Sequence, residues 1–206
     1  MHVTTRMVRV TGGRLPDAIP AVNHITELLN ERHGSNVNVA VQIGGDPSVI
    51  GFSGMWQSLA DLEAYRASAM ADTEIASLMR MAAPLFADEV EDTLWKVHLP
   101  PGERQSITVV TGALMNLTRV GEAAAFAAEA AGVVSAVTGN QVGIATAATG
   151  ERARLIWVGF APDLAKVEAD TDALEASDDY MELFKKSEDV MVTGSLYTGI
   201  WQSVSD

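Results

Sequence analysis

GSNVNVAVQIGGDPSVIGFSGMWQSLADLEA, residues 34–64, returns without a gap as GNQVGIATAATGERARLIWVGFAPDLAKVEA, residues 139–169. Gly34, Val37, Ala40, Gly45, Gly54, Leu59, Ala60, Glu63 and Ala64 are identical to the residues 105 positions later. Val39 to Ile144, Asp46 to Glu151 and Phe52 to Trp157 are conservative changes. A single spacing near half the chain describes a duplicated domain, because solenoid repeats recur every ~20–50 residues. Two halves of a 206-residue chain each have an ordinary domain's length.

The flanks of the repeat supply the remaining elements. Met7–Thr11 is β-branched and alternating, which predicts a strand. The second copy opens on Ile107–Thr111 at a spacing of 100, which places extra residues ahead of Gly139. Pro16 suits a first helical turn, Ile19, Val22, Ile25 and Leu29 follow at helical spacing, and His33-Gly34 stops the helix. Its counterpart runs from Thr118 through EAAAFAAEAA to Gly132. Val37, Val39, Val41 and Ile43 mark a half-buried strand with period two. Gly44-Gly45-Asp46-Pro47 turns it into a partner strand over 50–56. The second copy has strands over 142–148 and 155–160 around Thr149-Gly150-Glu151.

Ser58 and Asp163 are helix N-caps, with Leu59 and Leu62 turned inward. Asp72-Thr73 and Ser177-Asp178 start a further helix in each copy. Its apolar stripe is Ile75, Leu78, Met79, Ala82, Leu85 and Phe86, matched by Tyr180, Leu183 and Phe184. Strands over 93–99 and 197–204 close the copies, with Trp95 aligned to Trp201. Residues 100–104 link two domains, 1–100 and 106–206.

The order strand, helix, strand, strand, helices, strand builds a four-stranded antiparallel sheet with helices on one face. The expected fold class is therefore α+β. It consists of two tandem ferredoxin-like βαββαβ repeats whose sheets pack as an intramolecular dimer. Bulk chemistry narrows the partners. A net charge of −13 opposes phosphate backbones and anionic lipid, so nucleic acid and membrane surfaces are not expected. There are no cysteines, hence no thiolate ligand or nucleophile. MHVTTRMVRV has no signal-peptide core, and no apolar run reaches the ~18 residues of a membrane span, so the expected location is cytoplasmic.

Three stretches resemble a known family. They are Gly54-Met55-Trp56-Gln57-Ser58, Leu62-Glu63-Ala64-Tyr65-Arg66-Ala67-Ser68 and Ala83-Pro84-Leu85-Phe86. With the tandem order, they resemble the dimeric α/β-barrel superfamily and, within it, the antibiotic-biosynthesis-monooxygenase-like domains. That resemblance implies an α/β barrel and, in many members, cofactor-free oxygenation of aromatic polyketides or haem degradation. Tyr65 and Arg66 stand where many relatives have histidine, and the second copy has Asp170 and Thr171 there. Ala161 replaces Trp56. Haem ligation of the family type is thus disfavoured, and no cofactor is expected.

No phosphate-binding loop, dinucleotide fingerprint, zincin motif or nucleophile elbow is present. His2, His24, His33 and His98 are scattered without metal-ligand spacing. His24 is expected in solvent and His33 at a helix end, where the dipole favours it. Strand parity assigns Arg9, Asn38, Gln42, Ser53, Lys96 and His98 to one face of the first half. Their second-half counterparts are Val109, Gly143, Ala147, Val158, Gln202 and Val204. A polar set facing an apolar wall suits a small-molecule site. The alternative is that these groups face water. Trp56 has no counterpart and is the better ligand-wall candidate, whereas Trp95 and Trp201 repeat as core.

The candidate set is therefore His98 and Arg9 for catalysis and Asn38, Gln42, Ser53 and Trp56 for ligand binding, with no metal. The ligand would be a small apolar or aromatic molecule, and a homo-oligomer stays open. One function is a cofactor-independent monooxygenase-like enzyme or isomerase, with Arg9 or His98 stabilising an enolate-like anion or relaying a proton. The other is non-catalytic ligand binding or a structural role.

Overall fold

The computed structural model describes residues 1–204. The first copy contains β1 (His2–Val10), α1 (Leu15–His33), β2 (Asn38–Gly44), β3 (Val49–Trp56), α2 (Leu59–Ala71), α3 (Thr73–Ala82), a 3-10 turn at Ala83–Leu85 and β4 (Phe86–Leu99). The second contains β5 (Ile107–Leu114), a 3-10 turn at Leu117–Arg119, α4 (Val120–Thr138), β6 (Gly143–Ala147), β7 (Arg154–Ala161), α5 (Leu164–Glu175), α6 (Asp178–Val190) and β8 (Tyr197–Ser203).

The eight strands follow the closed order β1-β3-β2-β8-β5-β7-β6-β4. The α+β, tandem ferredoxin-like architecture is thus present, with an antiparallel closed sheet. One compact unit is Met1–Trp95 together with the chain from Gln202, and the other is Lys96–Trp201. β4 and β8 each contribute residues to both units.

The duplication is more regular than the sequence suggests. Val10 N–H donates to Ser48 C=O and Met115 N–H to Ala153 C=O, both at 2.8 Å. Thr11 N–H bonds Leu85 C=O and Asn116 N–H bonds Val190 C=O. Val8 sits opposite Ile50, and Ala113 opposite Leu155. Each pair is displaced by the same 105 positions as the central repeat. The expected spacing of 100 in the opening strand is therefore corrected: Met7 matches Gly112, and Arg9 matches Leu114 rather than Val109. Two short β-branched runs look alike in sequence, and only the ladder register separates them.

The caps repeat too. Gly34 and Gly139 end α1 and α4 at φ 61° and 74°, the left-handed region that glycine enters without a Cβ clash. The expected stop at Gly132 is corrected, because that residue lies inside α4. One glycine in an alanine-rich helix costs only ~1 kcal/mol and does not end it. Ser58 closes a capping box with Asp61, and Asp163, Asp72 and Ser177 cap α5, α3 and α6 through side-chain oxygens. His33 does more than end a helix. Its Nδ1 lies 2.6 Å from Ser68 Oγ and its Nε2 3.3 Å from Asp72 Oδ2, tying α1 to the α2–α3 junction.

In the first unit the core lies between α1, α3 and one sheet face, and includes Val8, Val10, Val22, Ile25, Leu29, Val39, Ile50 and Ile75. In the second, Ala113, Met115, Ala123, Ala127, Ala131, Ile144 and Leu155 occupy that layer. Ala18 and Ala123, at matching positions of α1 and α4, are both 0% exposed. Several positions expected inward are surface instead: Leu59 is 50%, Met79 47%, Phe184 41% and Ile43 38% exposed. α2 buries no residue fully, so its propensity and caps hold it more than its packing. Segment Leu117–Thr138 is long and apolar enough to cross a membrane by length and composition, although Arg119, Glu122 and Glu129 interrupt its apolar run. Its alanines produce that hydropathy, and four of them pack in the second unit's layer.

Asn30 and Ser135 hold equivalent strand entrances unequally. Asn30 donates to Val37 C=O and accepts from Val37 N–H, both at 2.9 Å, and accepts from Ser35 Oγ. Ser135 Oγ accepts only from Val142 N–H among the bonds at that entrance. Asn30→Ala should cost about 1–3 kcal/mol and Ser135→Ala about 0.5–1.5 kcal/mol in urea unfolding. Equal losses would contradict this assignment.

Candidate functional site

The polar set read from the sequence is dispersed. Arg9 is exposed, ion-paired with Asp46 and, at 3.3 Å, with Glu89, and it donates to Ser48 Oγ. Gln42 folds back, its amide donating to Gly44 C=O at 3.3 Å. Asn38 sits opposite Ser53 and accepts from Ser203 Oγ at 3.1 Å, and Ser53 also sits opposite Thr5. Asn38 and Ser53 are thus brought together, away from the helix-covered face.

Trp56 and His98 lie elsewhere. Trp56 packs against Tyr65 of α2 with ring centroids 4.6 Å apart and donates to Thr4 Oγ1 at 3.0 Å. His98 belongs to the second unit and lies 2.8 Å from Thr146 Oγ1. Thr146 shares its strand face with Ile144, a residue of the helix-side core. In β4, Asp92 meets Arg6 while Trp95 meets Thr5 on the other face. Lys96 and His98 follow Asp92 in parity, so the expected common face with Ser53 is corrected. Partial burial first, and the Lys96 charge second, hold the His98 pKa below the ordinary histidine value.

The second unit contains a cavity of about 390 Å³ between its sheet and α4, α5 and α6. That volume lies within the ~300–1,000 Å³ of small-molecule sites. Its aromatic lining is Phe126, Trp157, Phe160, Tyr180 and Phe184. Phe126 meets Trp157 edge-on at 6.3 Å, and Tyr180 meets Phe184 edge-on at 5.2 Å. None of Arg9, Asn38, Gln42, Ser53, Trp56 or His98 lines it.

The 105-residue correspondence explains where this space comes from. Ala130, Val134, Ala161 and Asp170 line the cavity. Their first-copy counterparts are Ile25, Leu29, Trp56 and Tyr65. There, Ile25 and Leu29 are core and the Trp56–Tyr65 pair packs ring against ring. Large side chains thus become small at four positions of one frame. Other rings enlarge, Ala21 to Phe126 and Phe52 to Trp157, but the Trp157 indole donates to Ala127 C=O at 3.0 Å and is fixed against α4.

After α6 the copies also diverge. β4 begins at Phe86, whereas its counterpart Met191 makes only an isolated bridge to Met115. The following turn keeps Gly194 at φ 77° and is pinned by Val192 N–H to Leu114 C=O and by Leu114 N–H to Ser195 Oγ. Residues 191–196 therefore border the cavity instead of extending the strand.

Few polar groups face this space. The Asp170 carboxylate is ion-paired with Lys166 and accepts from Asn140 Nδ2 at 2.9 Å. Lys166 Nζ also donates to Thr138 C=O, closing a network at the end of α4. Thr171 and Ser187 turn their hydroxyls to helix carbonyls. Burial first, and Glu175 second, raise the Tyr180 phenol pKa, so it stays protonated through neutral pH. Among the described residues, no cluster of three or more His, Asp or Glu side chains could hold a metal ion.

The signal for this cavity was present in the sequence as two departures, Ala161 for Trp56 and Asp170 for Tyr65. Each looks like a lost feature when the first copy is taken as the working one. Together they are small-for-large exchanges at neighbouring cavity positions.

Arg9 serves the β2–β3 turn. Asp46 Oδ1 accepts from Ser48 N–H and Oγ–H, and these bonds, ahead of Arg9, hold the Asp46 pKa at about 2. A depressed carboxylate stabilises the fold above its unfolded pKa of ~3.9 and loses that contribution as pH falls through about 2. NMR titration of Asp46 should therefore give a midpoint near 2, raised more by Ser48→Ala than by Arg9→Met. The reverse ranking would place Arg9 first.

No family model and no curated protein matches the chain. Solved structures do. A candidate monooxygenase from Fusobacterium nucleatum superposes with TM-score 0.75 at 8% identity, over 99% of this chain and 92% of that one. A candidate monooxygenase from Lactobacillus acidophilus gives 0.69 at 7%, over 99% and 94%. An anthrone oxidase-like protein gives 0.66 at 17%, over 98% and 91%. At such identities the likeness is one of fold. The chain has the fold of the tandem, ferredoxin-like dimeric α/β-barrel proteins, shared with monooxygenase-like structures along nearly its whole length.

Proposed function

We propose that the second copy's cavity binds a small apolar aromatic molecule, and that the chain oxygenates it without a bound cofactor. The observation carrying this reading is the cavity itself, about 390 Å³ with five aromatic lining residues, opened where Ile25, Leu29, Trp56 and Tyr65 pack in the first copy. An apolar, concave site with few polar groups favours a flat hydrophobic ligand. The neighbouring folds include candidate monooxygenases and an anthrone oxidase-like protein, which supports the reaction class. Nucleic acid and membrane have no place in this reading.

Cofactor-free oxygenation needs a substrate whose own C–H can be made acidic. A base removes the proton, and the delocalised anion supplies the electrons to dioxygen. A ring CH2 becomes C=O, and the second oxygen atom leaves as water. Asp170 and Glu188 are the carboxylates in the wall, and Asp170, held by Asn140 and Lys166, is the one proposed to take that proton. Its pairing with Lys166 and Asn140 occupies both carboxylate oxygens, which favours a second reading, binding without turnover.

Filling the cavity tests binding. Ala130→Ile with Ala161→Trp restores first-copy side chains and should weaken binding of anthrone at least about ten-fold by calorimetry. Unchanged affinity would remove the site from this cavity. Asp170→Asn tests the chemistry: anthrone-dependent oxygen uptake should fall at least about 100-fold with binding retained. Binding with no oxygen uptake by the unaltered protein selects the non-catalytic reading.

A further inference from the structure

Tyr180 is a group in the cavity wall that packing does not explain. Its first-copy counterpart is Ile75, 1% exposed and part of the hydrophobic core. An aliphatic side chain satisfies that position sterically. The second copy instead places a phenol there, half-buried, beside an apolar cavity. The ring is fixed edge-on to Phe184 at 5.2 Å, and α6 begins one turn earlier at the Ser177 cap. Its hydroxyl has no hydrogen-bond partner among the described residues. Nearby hydroxyls behave otherwise: Ser187 donates to Phe184 C=O and Ser195 to Val192 C=O. With no protein partner to give up, that hydroxyl is free to donate to an acceptor on a molecule in the cavity.

Resting on the cavity-binding reading above, we infer that Tyr180 is a specificity-determining residue that donates its hydroxyl proton to a carbonyl oxygen of a neutral aromatic ligand. The carboxylates of Asp170 and Glu188 line the same cavity, and Glu175 acts on the phenol itself. With a net charge of −13 across the chain, this surrounding opposes an anionic ligand. The selected class is thus an aromatic ketone, ahead of both the parent hydrocarbon and the aromatic carboxylate. A wall hydroxyl that bonds a ligand oxygen favours the ketone over the analogue that lacks the acceptor.

The test uses three naphthalenes of similar size: 2-acetylnaphthalene, 2-ethylnaphthalene and 2-naphthoate. Affinities are measured by quenching of tryptophan fluorescence for the full chain, Tyr180→Phe and Tyr180→Ile, with thermal melts confirming that each variant folds. The unaltered protein should bind the ketone tightest. Tyr180→Phe should weaken the ketone about five-fold and leave the ethyl compound unchanged. Tyr180→Ile, the first-copy residue, should also abolish the preference and keeps the test open if the Phe variant misfolds. Equal affinities for ketone and hydrocarbon in the unaltered protein, or equal losses in Tyr180→Phe, overturn the assignment while leaving the cavity reading intact. Tightest binding of 2-naphthoate overturns it as well. Absence of binding by all three overturns the cavity reading and this assignment together.

Discussion

Close packing sets the terms for this protein. Once backbone hydrogen bonds fix the separation of a helix layer from its sheet, side-chain volume alone decides whether the gap is core or cavity. The two copies keep the same frame, down to matching bonds at Val10 and Met115 and at Gly34 and Gly139. They fill it differently. Ile25, Leu29, Trp56 and Tyr65 occupy the first, and Ala130, Val134, Ala161 and Asp170 leave room in the second.

Such an exchange is costly if the space stays empty, at ~24 cal/mol per Å³ of cavity in large-to-small core changes. The second unit offsets part of that cost elsewhere. Its enlarged rings contact one another edge-on, and the Trp157 indole is bonded to α4. The Lys166–Asp170–Asn140–Thr138 network ties α5 to the end of α4. Where the first unit locks α1 through His33, Ser68 and Asp72, the second uses this polar cluster at the cavity margin. A duplicated module therefore keeps one copy packed and leaves a cavity in the other.

Much of the fold was legible because it rests on local rules. Period-two alternation, Ser and Asp caps and glycine stops mark elements whatever surrounds them. Where local rules compete, the sequence is ambiguous. Gly132 looks like a helix end beside a true one at Gly139, and Met7–Thr11 matches Ile107–Thr111 by composition but not by register. Leu59 and Met79 were assigned inward by period, yet α2 and the outer side of α3 have little above them to pack against. The site was less legible for a different reason. Polar side chains attract attention in a sequence, whereas a cavity is made by atoms that are missing. Arg9 and Gln42 are absorbed by their own turn, while Ala161 and Ala130 carry no chemical signature at all.

Crystals of the protein pressurised with xenon would examine the central claim directly, since xenon enters empty apolar cavities and not filled cores. A xenon peak is expected between α4, α6 and β7, bordered by Ala130, Trp157 and Tyr180, and none at the equivalent position beside Ile25, Phe52 and Ile75. Peaks of equal height in both copies, or none in the second, would contradict it.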